Sequence, residues 1–122
     1  MAEFTIESIA GPQDGVRILR LTGPFTLSQV REFQSVVRNG ADPITLIDLT
    51  DVPYMDSASL GSILGVHVSY QRDHRKYALI GVSARHRLLF EVGGLEDLLV
   101  IHDAVEDALA NLVADEAAGS TI

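Results

Sequence analysis

Apolar positions along the chain change their spacing several times, and each change marks an element. Phe4-Thr5-Ile6-Glu7 alternates, and the alternation resumes over Val16-Arg17-Ile18-Leu19-Arg20-Leu21 after the turn-rich Gly11-Pro12-Gln13-Asp14-Gly15, which predicts a hairpin. Gly23-Pro24 breaks the second strand, and Ser28 is placed to cap a helix carrying Val30, Phe33, Val36 and Val37 that ends at Asn39-Gly40. Ile44 to Leu49 is apolar except at Thr45 and Asp48, as expected of a central strand covered on both faces. From Ser57 the spacing becomes helical, with Leu60, Ile63, Leu64, His67, Val68 and Gln71 on one face, predicting a helix to about Arg72. Gly61 and Gly65 lie one turn apart in it, each disfavouring helix by about 1 kcal/mol relative to Ala. Close packing on the sheet is the expected compensation, and a smooth surface left for a partner backbone is the alternative.

Tyr77 to Val82 is a second buried strand, parallel to the one before it because a helix joins them. Ser83 is placed to cap a helix from Ala84 to about Val92, closed by Gly93-Gly94. Leu98 to Ile101 predicts a last short strand, and Ala104 to Val113 a final helix with Val105, Leu109 and Leu112 inward. The pattern predicts an α/β fold, a small mixed sheet with helices in the order β-β-α-β-α-β-α-β-α. One domain spans 1–114, and 115–122 forms a mobile polar tail.

At 122 residues the chain has room for one core, burying roughly two-thirds of its unfolded surface. It contains no Cys, so neither a disulfide nor a thiolate site contributes. Seventeen Asp plus Glu against nine Lys plus Arg give a net charge of −8, which disfavours nucleic acid and anionic membrane as partners. The basic cluster Arg72-Asp73-His74-Arg75-Lys76, with Arg85 and Arg87 beyond it, is expected to complement a helix terminus and solvate an edge, the alternative being a surface that faces an acidic partner. The start of the chain has neither a signal pattern nor an apolar run of about 18 residues, so a cytoplasmic location without a membrane span is expected.

The chemistry concentrates between the central strand and the long helix, in Asp48-Leu49-Thr50-Asp51-Val52-Pro53-Tyr54-Met55-Asp56-Ser57. Such a loop lies at a carboxyl edge of parallel strands, the usual binding position in open α/β folds. Ser57 reads as the helix N-cap, accepting from the backbone N–H of Ser59 or Leu60. A serine hydrolase is disfavoured, because the four histidines are scattered and no Gly-x-Ser-x-Gly elbow surrounds Ser57. His67, on the apolar helix face, is expected to be a satisfied, partly buried side chain. No Gly-x4-Gly-Lys-Ser/Thr loop is present, and Asp48, Asp51 and Asp56 read as solvated loop and helix-start carboxylates rather than magnesium ligands. No catalysis, metal or cofactor is expected. A phosphate on Ser57 would be favoured by the helix N-terminus and would make an already acidic loop strongly negative, a combination suited to an on/off binding surface.

The same stretch resembles a family, the STAS domain, and within it the bacterial anti-sigma factor antagonists. The family's apolar strand ending Asp-Leu, followed by Asp-Ser-Ser-Gly-Leu-Gly at a helix start, is matched here by Asp48-Leu49 and Asp56-Ser57-Ala58-Ser59-Leu60-Gly61. Ala58 replaces the second serine, Ser59 stands where glycine is usual, and neutral Thr26 stands in a region where many members carry an acid. The resemblance implies an antagonist that binds an anti-sigma factor serine kinase and is switched off by phosphorylation at Ser57, with a serine phosphatase resetting it. Ser57 would be the phosphoacceptor, and Met55, Asp56, Ser57, Ser59 and Leu60 would contact the partner. Ser59, in the first helical turn, is expected to face solvent as a possible second acceptor. The alternative is a STAS scaffold or regulatory subunit of a signalling or transport assembly without the switch.

Overall fold

A computed structural model describes the backbone of residues 3–120 and the side chains of residues 3–112. The described elements are β1 (Thr5–Ala10), β2 (Val16–Thr22), α1 (Leu27–Arg38), β3 (Ile44–Asp51), α2 (Ser57–Arg72), β4 (Lys76–Ile80), α3 (Ala84–Val92) and α4 (Val105–Ser120). The four strands form one mixed sheet in the order β1-β2-β3-β4. β1 and β2 make the expected antiparallel hairpin, whereas β2 with β3 and β3 with β4 are parallel.

Period-two alternation sorts the strand residues between two cores. Leu19 and Leu21 of β2, Ile47 and Leu49 of β3, and Tyr77 and Leu79 of β4 join Phe33 and Val37 of α1 and Ile63, Val66 and Tyr70 of α2. The alternate residues Val16, Ile44, Leu46, Ala78 and Ile80 meet Ala108, Leu109 and Leu112 of α4 on the opposite face. β3 is therefore covered on both sides, which explains its nearly continuous apolar run. Leu109 and Leu112 turn inward as expected, and Val105 packs at the margin.

The fifth strand is reduced to one parallel bridge between Ile101 and Leu79. Leu98 and Leu99 both donate their backbone N–H groups to the Leu95 carbonyl, so a turn holds residues whose side chains alone favour a strand. The last helix runs beyond Val113, its expected end, to Ser120. The tail expected over 115–122 falls on residues whose side chains lie outside the described set, and 121–122 lie outside it altogether. No helix among the described residues is long and apolar enough to cross a membrane.

Helix ends follow local chemistry. α2 closes in a Schellman pattern, with Arg75 N–H donating to the Tyr70 carbonyl at 2.8 Å and His74 N–H to that of Gln71 at 3.3 Å. The left-handed position is held by His74, at φ 57°. α3 closes in the same way, with Gly94 at φ 74° in that role.

Candidate functional site

The site is built where two loops leave the sheet side by side. Gly23 N–H donates to the Asp51 carbonyl and Phe25 N–H to that of Tyr54, both at 3.1 Å, and Phe25 bridges Met55 in parallel fashion. β2 and β3 thus stay in contact after their ladder ends, and α1 and α2 begin next to each other. Phe25 is fully buried between the rings of Phe4, at 5.5 Å, and Phe33, at 4.9 Å. Gly23, at φ 97°, leaves room for the backbone that leads into β1: a Cβ there would lie 2.6 Å from the Glu3 carbonyl oxygen.

Asp56, rather than Ser57, caps α2. Its Oδ1 accepts the Ser59 N–H at 2.9 Å, while Oδ2 accepts the N–H of Leu27, the first residue of α1, at 3.0 Å. One carboxylate therefore serves the orphan donors of two helices. The Ser59 N–H holds the Asp56 carboxyl below its ordinary range against some desolvation, and the Leu27 N–H adds to the effect. Ser59 completes a capping box: its hydroxyl accepts the Asp56 N–H at 3.0 Å and donates to the Asp56 carbonyl at 2.9 Å. The expectation that Ser59 faces solvent is thereby overturned, since it is fully buried. At α1 the cap also comes earlier than expected, at Thr26 in place of Ser28. The Gln29 side-chain oxygen accepts from the Thr26 N–H at 2.9 Å and from its hydroxyl at 2.8 Å.

Ser57, displaced from the cap to the first helical position, is exposed. No hydrogen bond of its hydroxyl is found among the described residues, and none of the four histidines bonds to it. Its neighbours in the expected contact set divide: Met55 and Asp56 are half-buried, whereas Leu60 turns into the core beside Ile63. The exposed surface around the serine is supplied instead by Leu27, 70% exposed, and Tyr54, 51% exposed. An apolar cavity of about 310 Å³ opens beside Tyr54 and Met55, walled by Leu88, Leu89 and Val92 of α3. The sequence carried a signal for this surface in α3, where Leu88 and Val92 repeat four residues apart, offset from the buried pair His86 and Phe90.

The acids take separate roles. Asp48 Oδ1 accepts from the backbone N–H of Thr50 at 2.9 Å and from its hydroxyl at 2.6 Å, and Oδ2 lies 3.7 Å from Arg20. Asp51 is exposed at the end of β3. Gly81, at φ 68°, fits against this turn, because a Cβ would run into the Thr50 side chain.

Gly61 and Gly65 are not explained by close packing. Both are exposed, and a Cβ at either would meet nothing within 4 Å, so the smooth outer surface of α2 is the alternative the structure retains. His67 is buried but only half satisfied: Nδ1 lies 2.7 Å from the Tyr77 hydroxyl, and Nε2 has no partner. Arg72 pairs with Asp73 at 3.2 Å in a solvated position, in keeping with the role expected of the basic cluster.

Comparison with known proteins places this geometry. The STAS domain family profile matches residues 10–108. An anti-sigma-B factor antagonist from Listeria monocytogenes is 36% identical over 77 residues, covering 63% of this chain and 68% of the relative. One from Staphylococcus aureus is 29% identical over 82 residues, covering 67% of this chain and 76% of the relative. Among solved structures, the anti-sigma factor antagonist SpoIIAA in its unphosphorylated form superposes with a TM-score of 0.70 at 20% identity, over 93% of this chain and 97% of that one. The phosphorylated form of SpoIIAA, from Bacillus, superposes with a TM-score of 0.66 at 21% identity, over 91% and 99% of the two chains.

Proposed function

This chain belongs to the STAS domain family, and from that premise we propose that it is an anti-sigma factor antagonist switched off by phosphorylation of Ser57. The unmodified chain binds an anti-sigma factor that is also a serine kinase, freeing a sigma factor for transcription, and a serine phosphatase restores the binding form. The observation that carries this proposal is the exposed Ser57 hydroxyl, standing in the first turn of α2 immediately after a carboxylate already committed to two backbone donors. The names of the Listeria and Staphylococcus relatives support the class of partner.

Ser57 suits the acceptor role because its chain neighbours, not its own hydroxyl, hold the helix start. A phosphate added there breaks no hydrogen bond of the cap. It brings about −1.5 to −2 charges to a helix N-terminus, where the dipole and unpaired N–H groups favour it. Met55 and Asp56 flank it, and the exposed Leu27 and Tyr54 supply the apolar contact area a partner would cover. Bulk and negative charge beside Asp56 and Asp51 then repel a partner fitted to the neutral hydroxyl. The role is regulatory binding rather than catalysis, exerted in the cytoplasm where sigma factors act.

The test is calorimetric titration of the anti-sigma kinase with wild type, Ser57→Ala and Ser57→Asp. Binding by wild type and Ser57→Ala with loss in Ser57→Asp is expected. Equal binding by all three would remove the switch.

A further inference from the structure

We propose that a cavity at the outer edge of β4, remote from Ser57, is a binding site for a small phosphate-type oxyanion held by Arg75, Lys76, His102 and the imidazole of His67. The cavity measures about 180 Å³ and lies between the second half of α2, the start of β4, the segment that follows α3, and Leu112 of α4. It exists because the fifth strand does not form: residues 100–102 cover the edge of β4 only at Leu79, through bonds of 2.8 and 2.9 Å. Beside Tyr77 the ladder is not continued, and the Val100 N–H turns to the Tyr77 hydroxyl at 3.2 Å instead.

The wall of this gap has an unusual charge. The chain is strongly acidic, with seventeen carboxylate side chains, yet none of the described residues lining the cavity carries one. Besides the hydroxyls of Tyr70 and Tyr77, its polar members are His67, Gln71, Arg75, Lys76 and His102. Lys76 is the only lysine in the sequence, and two of the four histidines are present. A helix-terminus role accounts for Arg72 in the last turn of α2 but not for a lysine on β4 or a histidine after the Ile101 bridge. The Schellman turn at His74 brings Arg75 back over the Tyr70 ring at 4.2 Å, where its guanidinium donates to the Tyr70 hydroxyl at 3.1 Å and to the Asp42 carbonyl at 2.9 Å. Arg75 is thus held in place at the rim with donor capacity to spare.

His67 supplies the second, independent observation. The residue is 7% exposed and lines the cavity, and its buried Nε2 has no partner among the described residues. Its proton can be assigned. Burial raises the Tyr77 phenol above its ordinary value, so the hydroxyl stays protonated. That hydroxyl accepts the Val100 N–H, and among the described residues His67 Nδ1 is the one acceptor found for its own proton; donation to it leaves the histidine proton on Nε2. A buried donor without an acceptor is unfavourable, and an anion in the adjoining gap would relieve it. Donors arriving from α2, β4 and the 100–102 segment surround the gap from different sides, which suits a compact tetrahedral anion better than a planar carboxylate.

The experiment is NMR titration of the full chain with sodium phosphate, glycerol 3-phosphate, acetate and, at matched ionic strength, potassium chloride. Backbone amides of Tyr77 and Val100 and the imidazole resonances of His67 and His102 are followed. Saturable shifts with a phosphate compound and none with acetate or chloride are expected. Tighter binding of glycerol 3-phosphate identifies a monoester as the ligand, and tighter binding of inorganic phosphate identifies the free anion. Lys76→Gln should weaken binding about tenfold, as expected for one charged contact, and His102→Gln should weaken it in the same direction. Native-like spectra of both variants would show that the fold is kept, and Ser57→Ala should bind as wild type. Shifts reproduced by chloride or acetate, shifts centred on Ser57 and Ala58, or unchanged affinity in both Lys76→Gln and His102→Gln would overturn the proposal.

Discussion

The Asp56 carboxylate reaches across 29 positions of sequence to accept the backbone N–H of Leu27 at 3.0 Å. With its other oxygen on Ser59, it ties the first turns of α1 and α2 together, and no hydrogen bond among the described residues engages the hydroxyl of Ser57 beside it. The separation of roles between Asp56 and Ser57 lets a chemically changeable side chain sit at a rigid position.

Asp56→Ala should therefore lose more than an ordinary cap. Removing one N-cap costs about 1 kcal/mol, and the orphaned Leu27 donor adds to it, so a loss of about 2 kcal/mol in urea unfolding is expected. Because the folded-state pKa of Asp56 is lowered, its contribution is fully present above the unfolded-state pKa and fades as pH falls through the folded value. Asp56→Asn should accordingly show a shallower loss of stability below the ordinary carboxylate range than wild type does. An unchanged acid limb would contradict the double cap.

Ser59→Ala removes the reciprocal half of the capping box from a fully buried position. A loss of about 1 kcal/mol is expected. Ser57→Ala, by contrast, should stay within about 0.5 kcal/mol of wild type, as exposed substitutions usually do. Thermal unfolding of the two variants side by side distinguishes cap from bystander, and the reverse order would return the cap to Ser57.

Gly61→Ala and Gly65→Ala should each raise stability by about 1 kcal/mol, since alanine favours helix and the added methyl meets nothing within 4 Å. If the exposed glycine face is covered by the partner, the same variants should weaken partner binding. Destabilisation by either substitution would show that close packing was the correct explanation.

His74 occupies the left-handed position of the Schellman turn that glycine usually fills. His74→Gly should stabilise the fold by up to about 1 kcal/mol by removing the Cβ penalty. A measured loss on chemical unfolding would mean that the imidazole makes a contribution larger than the strain.

The central strand, the second parallel strand and the long helix were legible from the sequence because burial on both faces of β3 and one-sided burial of α2 leave periodic traces. The caps were harder. In Asp56-Ser57-Ala58-Ser59 two good capping residues are adjacent, and the choice falls to Asp56 because only its side chain can serve Leu27 as well, a contact set by tertiary structure. Thr26 with Gln29 had the spacing of a capping box, but Ser28 stood closer to the apolar face. Leu98 to Ile101 has strand composition, and the turn closed on the Leu95 carbonyl overrides it. The outward surface formed by Leu27, Tyr54, Leu88 and Val92 was not legible as a unit, because residues distant in sequence contribute to it. The family motif located Ser57 but could not show that Ser59 is inside.

The most direct test of the account is phosphopeptide mapping after incubation with the anti-sigma kinase and ATP, using wild type, Ser57→Ala and Ser59→Ala. A single phosphate on Ser57 in wild type, retained in folded Ser59→Ala and absent from Ser57→Ala, is the expected result. A phosphate that persists in Ser57→Ala and disappears in Ser59→Ala would contradict the assignment, since it would require the buried hydroxyl of the capping box to be the acceptor.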